Sequence, residues 1–280
     1  TSRGLGDVYK RQQLTVVVEN QTSSQSLLAE WGYSAWLQTE DAVVLLDTGG
    51  IQHTLQHNLT ALGLEAKHIT DLVLSHGHFD HTSGVMGVLR MAPDVRVWAA
   101  PGIGRERLGD ADAKRASGGG SMLTGLAFSP IDPFVEIVPG VIAFTVPASA
   151  RDPRWVCTHH MFERTDAGEI VPDTFADDVS LLVQTENGAS VLLGCAHAGL
   201  PNILRYASRT FDIDHFHTVL GGTHLSGVAP ADYPLWMQEL TQYKVEHWRP
   251  CHCTGFKAAA QLACCFDDVD WASAGTRHRL

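Results

Sequence analysis

The segment Ser75-His76-Gly77-His78-Phe79-Asp80-His81 places four metal-competent side chains within six residues. Imidazole nitrogen and carboxylate oxygen together suit zinc, iron or manganese. Alternation lets His76 and His78 aim at one ion, while Asp80 and His81 diverge toward a second. One loop cannot complete two coordination shells, so further donors must arrive from later segments. Three histidines stand where strands are expected to end: His197 in Gly194-Cys195-Ala196-His197, His224 in Gly221-Gly222-Thr223-His224, and His252 in Cys251-His252-Cys253. Loops at strand ends are where side chains converge and function collects. The plain alternative is a solvated His-rich loop. Such tracts rarely follow a buried strand, and here Leu72-Val73-Leu74 runs straight into the histidines.

The elements that must position these groups are legible from apolar runs. Val16 to Val18 and Ala42 to Leu46 read as buried strands. The second ends at Asp47-Thr48-Gly49-Gly50, where Asp47 is a turn residue or a support behind a ligand rather than a catalyst. Leu55, Leu59 and Leu62 recur at helical spacing and Gly63 stops them. Val85, Val88, Leu89 and Met91 predict a helix that Pro93 terminates, and Val95 to Trp98 begins the next strand. Ser117-Gly118-Gly119-Gly120-Ser121 reads as a flexible surface loop. Phe134 to Val138 and Val141 to Val146 are strands about Pro139-Gly140. Residues 148 to 178 carry no clear pattern, and a stretch that long is expected to cap the site. Ser180 to Thr185 and Ser190 to Leu193 flank Asn187-Gly188, a hairpin signal. Thr218 to Leu220 is a strand, Leu235, Leu240 and Tyr243 mark a helix, His247 to Pro250 a last strand, and Ala258 to Cys265 a closing helix. Strands and helices without strict βαβ alternation predict sheets packed face to face with helices outside.

The 280 residues are 44% hydrophobic and 18% charged, an ordinary globular composition. Donors in both halves must meet, so residues 13–280 read as a single domain. Residues 1–12 read as a non-native or disordered leader. A net charge of -11 argues against nucleic acid or an anionic membrane as partner. It leaves a small-molecule substrate, phosphorylated ones included, because a bound metal reverses the local sign. No apolar run reaches the roughly 20 residues of a membrane span. Leu14 to Val18 is too short for a signal-peptide core, and a cytoplasmic location is the expectation. The oligomeric state is not legible.

The six cysteines form no disulfide framework, and Cys251-His252-Cys253 lacks a second pair at structural-zinc spacing. Cys264-Cys265 reads as helix packing and His159-His160 as surface. Asp177-Asp178 is either a pair of carboxylates supporting the ligands or a solvated acidic pair.

Together these motifs resemble the metallo-β-lactamase fold superfamily, whose signature is the His-x-His-x-Asp-His loop. From about Leu14 to Phe266 the chain resembles one branch of it, the dihydropterin-ribofuranosyl-aminobenzene-phosphate synthase-like proteins. The pieces that carry this are Leu45-Leu46-Asp47-Thr48-Gly49, the histidine loop through Thr82, Asp177-Asp178, Gly194-Cys195-Ala196-His197-Ala198-Gly199, Gly221-Gly222-Thr223-His224-Leu225 and His252-Cys253-Thr254-Gly255. The resemblance implies an αββα four-layer sandwich, two mixed sheets with helices outside, and a metal cluster at the rim between the sheets. It implies that His76, His78 and His197 hold one metal, and that Asp80, His81 and His252 hold the other. The expected cofactor is zinc, one or two ions, with iron or manganese as substitutes. Where the wider superfamily often carries a bridging aspartate, this chain is read as carrying Cys195.

The expected activity is metal-dependent hydrolysis of a phosphate ester or other ester-type small molecule. Asp80 would orient the attacking water as well as bind metal, and His224 would donate to an anionic oxygen or protonate the leaving group. Two rivals stand beside it. One is the branch's synthase-like condensation of an aminobenzoate with a phosphorylated pentose, in methanopterin-type biosynthesis. The other is a non-catalytic metal- or ligand-binding protein.

Overall fold

A computed structural model describes residues 12–22, 24–109, 112, 115–120, 123, 125–157 and 161–280. The first half supplies β1 (Gln13–Val18), β2 (Ser34–Gln38), β3 (Val43–Leu46), helix α1 (Gln52–Leu62) and β4 (Asp71–Leu74). A single turn α2 (Phe79–Thr82), helix α3 (Val85–Met91) and β5 (Arg96–Ala99) follow. Short strands β6 (Arg107–Leu108), β7 (Ala116–Gly118) and β8 (Ser129–Pro130) lead into the pair β9 (Phe134–Val138) and β10 (Val141–Thr145). Strands β11 (Phe162–Arg164) and β12 (Ile170–Pro172) precede the hairpin β13 (Val179–Thr185) and β14 (Gly188–Leu193). The chain ends with α4 (Leu200–Phe211), β15 (Phe216–Gly222), α5 (Tyr233–Leu240), β16 (Val245–Cys251), α6 (Phe256–Cys265) and β17 (Arg277–Arg279).

Alternating burial along the strands builds the layers. On β3, Val44 and Leu46 face the space between the sheets, while Val43 and Leu45 face α1 and α3. On β13 and β14, Leu181, Val183 and Leu192 point inward to meet them, while Leu182, Val191 and Leu193 point outward to α4, α5 and α6. Three apolar layers between four layers of structure make an αββα sandwich, as expected. One sheet has the order β17-β1-β2-β3-β4-β5-β8 and the other β16-β15-β14-β13-β10-β9. Both are mixed. β3, β4, β5 and β8 run parallel in the first, and β14, β15 and β16 run parallel in the second. Parallel neighbours end together, so each sheet brings several carboxyl-terminal strand ends to one rim.

A third small sheet, β12-β11-β6-β7, takes two of its strands, β11 and β12, from the stretch 148–178 that has no clear sequence pattern. Its β7 includes Ser117 and Gly118, the residues expected in a flexible surface loop. Gly118 instead bridges His78, and a Cβ on it would fall 2.1 Å from the Gly77 carbonyl oxygen. The glycine is there for close approach, not for mobility.

Other expectations need correction. β16 is not the last strand nor α6 the closing element, because β17 follows and pairs with β1, Leu14 opposite His278. Arg277-His278-Arg279 has no apolar signature, and its place is secured by backbone pairing at a sheet edge. Leu235 is exposed, since Tyr233, Trp236, Met237 and Leu240 form the buried stripe of α5, and Tyr243 lies beyond that helix. Cys264 and Cys265 are exposed rather than packed. His159 and His160 lie outside the described residues. So does the expected leader up to residue 11, while Gln12 is buried and its carbonyl accepts from the Leu280 amide at 3.1 Å. Among the described residues no helix is long and apolar enough to cross a membrane.

Candidate metal centre

The rim gathers Asp47 after β3, His76 after β4, His197 after β14, His224 after β15 and His252 after β16. Backbone strain collects there too. Asp47 (φ 60°), Ala196 (56°), His224 (53°) and His252 (52°) are left-handed without being glycine. Such conformations persist where the surroundings dictate them, commonly at sites.

Two donor sets form. The first holds His76, His78 and His197, with a donor atom from each within 4.8 Å of the others. Nε2 of His76 lies 2.9 Å from Nδ1 of His78. The His197 Nδ1 donates to the Cys157 carbonyl at 3.0 Å, which leaves a buried Nε2 with no hydrogen-bond partner. Burial, reinforced by neighbouring imidazoles, holds His76 and His197 well below the ordinary histidine range, and burial brings His78 down to about 3. All three are therefore neutral at pH 7, with lone pairs to give.

The second set holds Asp80, His81 and His252. Nε2 of His81 and Nε2 of His252 face each other at 3.2 Å, with an Asp80 oxygen 3.4 Å from His252 and 4.0 Å from His81. Both imidazoles are fixed from behind: His81 Nδ1 lies 2.6 Å from Asp47 Oδ2 and His252 Nδ1 3.0 Å from Asn20 Oδ1. With each Nδ1 donating its proton, two lone pairs point at one another, and that arrangement calls for a cation. An ion with ligands at about 2.0–2.1 Å in tetrahedral geometry spaces its donors by roughly 3.3 Å. The donor set fits a transition metal.

Charge agrees with geometry. Burial opposes protonation of His81, yet Asp47 and Asp80 outweigh it and push the imidazole up to about 9. Burial would raise Asp80, but His81 and His252 overcome that and keep the carboxyl below the usual range. The site draws in positive charge, as a proton or as a metal ion.

The segment before β13 is tied to the backbone beside the donor histidines. Asp177 accepts from the Gly77 amide at 2.9 Å, between His76 and His78, and Asp178 accepts from the Ala198 amide at 2.8 Å, beside His197. Both carboxylates are buried, so the solvated-pair alternative falls, and burial pushes Asp178 up to about 7. Arg107, itself buried, grips Asp177, Asp173 and Glu163. Phe175 stacks on His197 at 3.7 Å and 9°.

His224 joins neither donor set. Its ring lies 4.4 Å from that of His197 and lines a cavity of 380 Å³. Trp31, Phe79 and Met161 give that cavity an apolar side, and Asp80, Arg115 and His252 a polar one. Sequence reasoning missed the supporting roles of Asn20, Ser75, Cys157 and Phe175, which orient the donor imidazoles through a hydrogen bond or a stacked ring. Cys253, set aside in the sequence for want of a second cysteine pair, brings its thiol to the rim beside Cys195. Asn20 alone had a signal, a polar residue just past the end of an apolar strand.

Comparison with known proteins points one way. Residues 30–197 match the family described as the Metallo-beta-lactamase superfamily; His252 lies beyond that match and joins the centre through the fold. The chain is 25% identical over 228 residues, 77% of its length and 76% of the relative's, to the 7,8-dihydropterin-6-methyl-4-(beta-D-ribofuranosyl)-aminobenzene-5'-phosphate synthase of Methanocaldococcus jannaschii. It is similar to the crystal structure of Tm1679, described as a metal-dependent hydrolase of the beta-lactamase superfamily. There the TM-score is 0.82 and the identity 26%, covering 96% of this chain and 99% of that one. The metallo-beta-lactamase fold protein YhfI from Bacillus subtilis shares the fold at a TM-score of 0.56 and 10% identity, over 97% of this chain and all 100% of its own.

Proposed function

The chain belongs to the metallo-beta-lactamase superfamily, and on that premise we propose that it is a metal-dependent hydrolase of a phosphate-ester or other ester-type small molecule. His76, His78 and His197 would hold one ion and Asp80, His81 and His252 a second, with zinc, iron or manganese suited to the donors. The observation that carries this reading is the facing pair of Nε2 atoms on His81 and His252, 3.2 Å apart. Bound metal supplies Lewis acidity and lets water ionise near pH 7.

The chain's own residues do the rest. Asp80, kept ionised by His81 and His252, accepts a hydrogen bond from the attacking water and aligns it. His224 faces the cavity, where it donates to an anionic substrate oxygen or to the departing one. Trp31 and Phe79 offer apolar contact surface to a substrate, and Arg115 offers a positive charge for a phosphate. The cavity suits a small molecule. Turnover of phosphomonoester, phosphodiester and lactone probes, lost in His224→Ala while metal content is kept, supports the assignment. Inertness toward all three argues against it.

A second reading is a condensation of an aminobenzoate with a phosphorylated pentose. The synthase-named relative and the pairing of an aromatic wall with Arg115 favour it. Product from those two reactants, without probe hydrolysis, would select it.

A further inference from the structure

Away from the rim, the amino-terminal ends of β15 and β16 carry a second gathering of imidazoles. His215, His217, His247 and His278 meet there with Glu246 and Asp268. β15 runs from Phe216 to Gly222, so at about 3.3 Å per residue His217 lies roughly 16 Å from the rim. A bulge explains how these groups reach one place. Ala189 pairs with Phe216 and Ser190 with Thr218, which leaves His217 as the extra residue on β15. A bulge re-aims the side chain it carries. Accordingly the His217 ring lies 6.3 Å from that of His278, while Oγ1 of its neighbour Thr218 lies 2.8 Å from His278 Nε2.

A donor atom from each of His217, Glu246 and His247 falls within 4.8 Å of the other two. His217 Nδ1 and Glu246 Oε2 are 2.9 Å apart, near the roughly 3.3 Å at which a tetrahedral ion of the zinc class spaces its donors. The His217 and His247 ring centroids stand 4.8 Å apart at 88°. Inside the rim's donor sets the same measures are 4.7 Å and 78° for His76 and His78, and 5.0 Å and 77° for His81 and His252. Two of the three donors are also steadied from behind. Nδ1 of His247 donates to Asp268, which leaves the lone pair on Nε2, and Arg249 holds Asp268 in turn. His215 Nε2 meets the second Glu246 oxygen at 2.8 Å. Hydrogen bonds from His217 and His215 keep Glu246 below the usual carboxylate range. Ion pairing alone calls for one imidazole at Glu246. Here two touch it, and a third ring stands beside them.

We infer that His217, Glu246 and His247 form a binding site for one divalent transition ion of the zinc, nickel or copper class. Two imidazoles and a carboxylate favour these ions over magnesium or calcium. Water completes the four-coordinate shell, and the ion ties β15 to β16 at the end remote from the rim. The site stands whether or not the rim holds metal.

The test titrates Zn(II) into the full chain by calorimetry and counts bound ion after dialysis. It compares native protein with Glu246→Gln, His247→Gln and Asp268→Asn, and with the control His53→Gln on the exposed side of α1. Native protein and His53→Gln should bind one equivalent more than Glu246→Gln or His247→Gln. Asp268→Asn should keep that equivalent with about 10- to 100-fold weaker affinity. His78→Ala, at the rim, should leave it in place. Circular dichroism shows that the variants are folded; should His247→Gln fail to fold, the half-exposed Glu246 carries the comparison. Equal zinc uptake by native protein, Glu246→Gln and His247→Gln overturns the site. So does a loss of the same size in His53→Gln, which makes the binding adventitious capture by surface histidines. An equivalent that disappears with His78→Ala and survives His247→Gln belongs to the rim, and overturns it as well.

Discussion

The carboxylate of Asp47 lies 2.6 Å from Nδ1 of His81, and both side chains are fully buried. Asp47 also accepts from the Ser75 amide at 2.7 Å and the Ser75 hydroxyl at 2.6 Å. Ser75 Oγ in turn lies 2.9 Å from Nδ1 of His76. One carboxylate thus sets the tautomer of an imidazole in the second donor set and, through Ser75, steadies one in the first. Such supports raise ligand basicity and fix ring orientation.

Asp47→Asn is the informative change, because asparagine tolerates the left-handed backbone at this position. Packing and turn survive while the charge goes. Metal affinity should fall about 10- to 100-fold, as read by chelator competition, with circular dichroism showing that the fold is kept. Unchanged affinity would make Asp47 a turn residue and nothing more.

Acid should compete with metal at His81. Its imidazole is pushed up to about 9, against the opposing effect of burial, by Asp47 and Asp80. Below that pH the metal must displace a proton; above it, none. Apparent affinity should therefore rise about tenfold per pH unit from 7 to 9 and then level off. Titration with a metal indicator at fixed ionic strength checks the slope, and a flat profile would contradict the assignment.

Arg107 joins the cap to the centre. Its guanidinium meets Glu163 at 2.8 Å, Asp173 at 2.7 Å and Asp177 at 2.8 Å, all buried. Burial already pushes Asp173 up to about 6. Arg107→Met would leave Asp173 and Asp177 without their cation, while Glu163 keeps Arg105 at 2.9 Å, and breaking a buried ion pair from one side costs about 3–5 kcal/mol. Urea unfolding should show a loss of that order. A loss under 1 kcal/mol would mean that the carboxylates find water instead.

Gly118 packs against the histidine loop with φ 145°, and a Cβ there would meet both the Gly77 oxygen and, at 2.6 Å, the His78 Cα. Gly118→Ala should destabilise the fold by about 1–3 kcal/mol and displace the loop. Thermal melts should fall and the affinity of the first metal should weaken with them. A variant with wild-type melting and metal affinity would return this segment to the status of a free surface loop.

The parts legible in the sequence are those whose signal is local. β3 and β4 announced themselves as apolar runs, Gly63 and Pro93 as stops, and the histidine loop as four donors in six residues. The three later histidines were legible because each follows a strand. What stayed hidden depends on partners distant in the chain. Arg107 looks like any surface arginine until β6 and β11 bring Glu163 to it. Phe175 sits in a patternless stretch and gains meaning only by stacking on His197. Asn20 stands just past an apolar strand, but its partner His252 lies 232 residues further along the chain, and no local pattern can announce that pairing. β17 carries charge where a strand signature needs alternation. The glycines at 118 and 119 were read for their freedom, when their role is to let two backbones meet.

The central claim is that the two donor sets hold metal and that the metal supports turnover. Bound transition metal should be measured on native protein and His78→Ala, alongside turnover of the phosphate-ester and lactone probes. Native protein is predicted to hold about one to two equivalents and to turn over a probe, with His78→Ala losing metal and activity together. Native protein that binds no transition metal, or a variant that keeps both properties, would contradict the account.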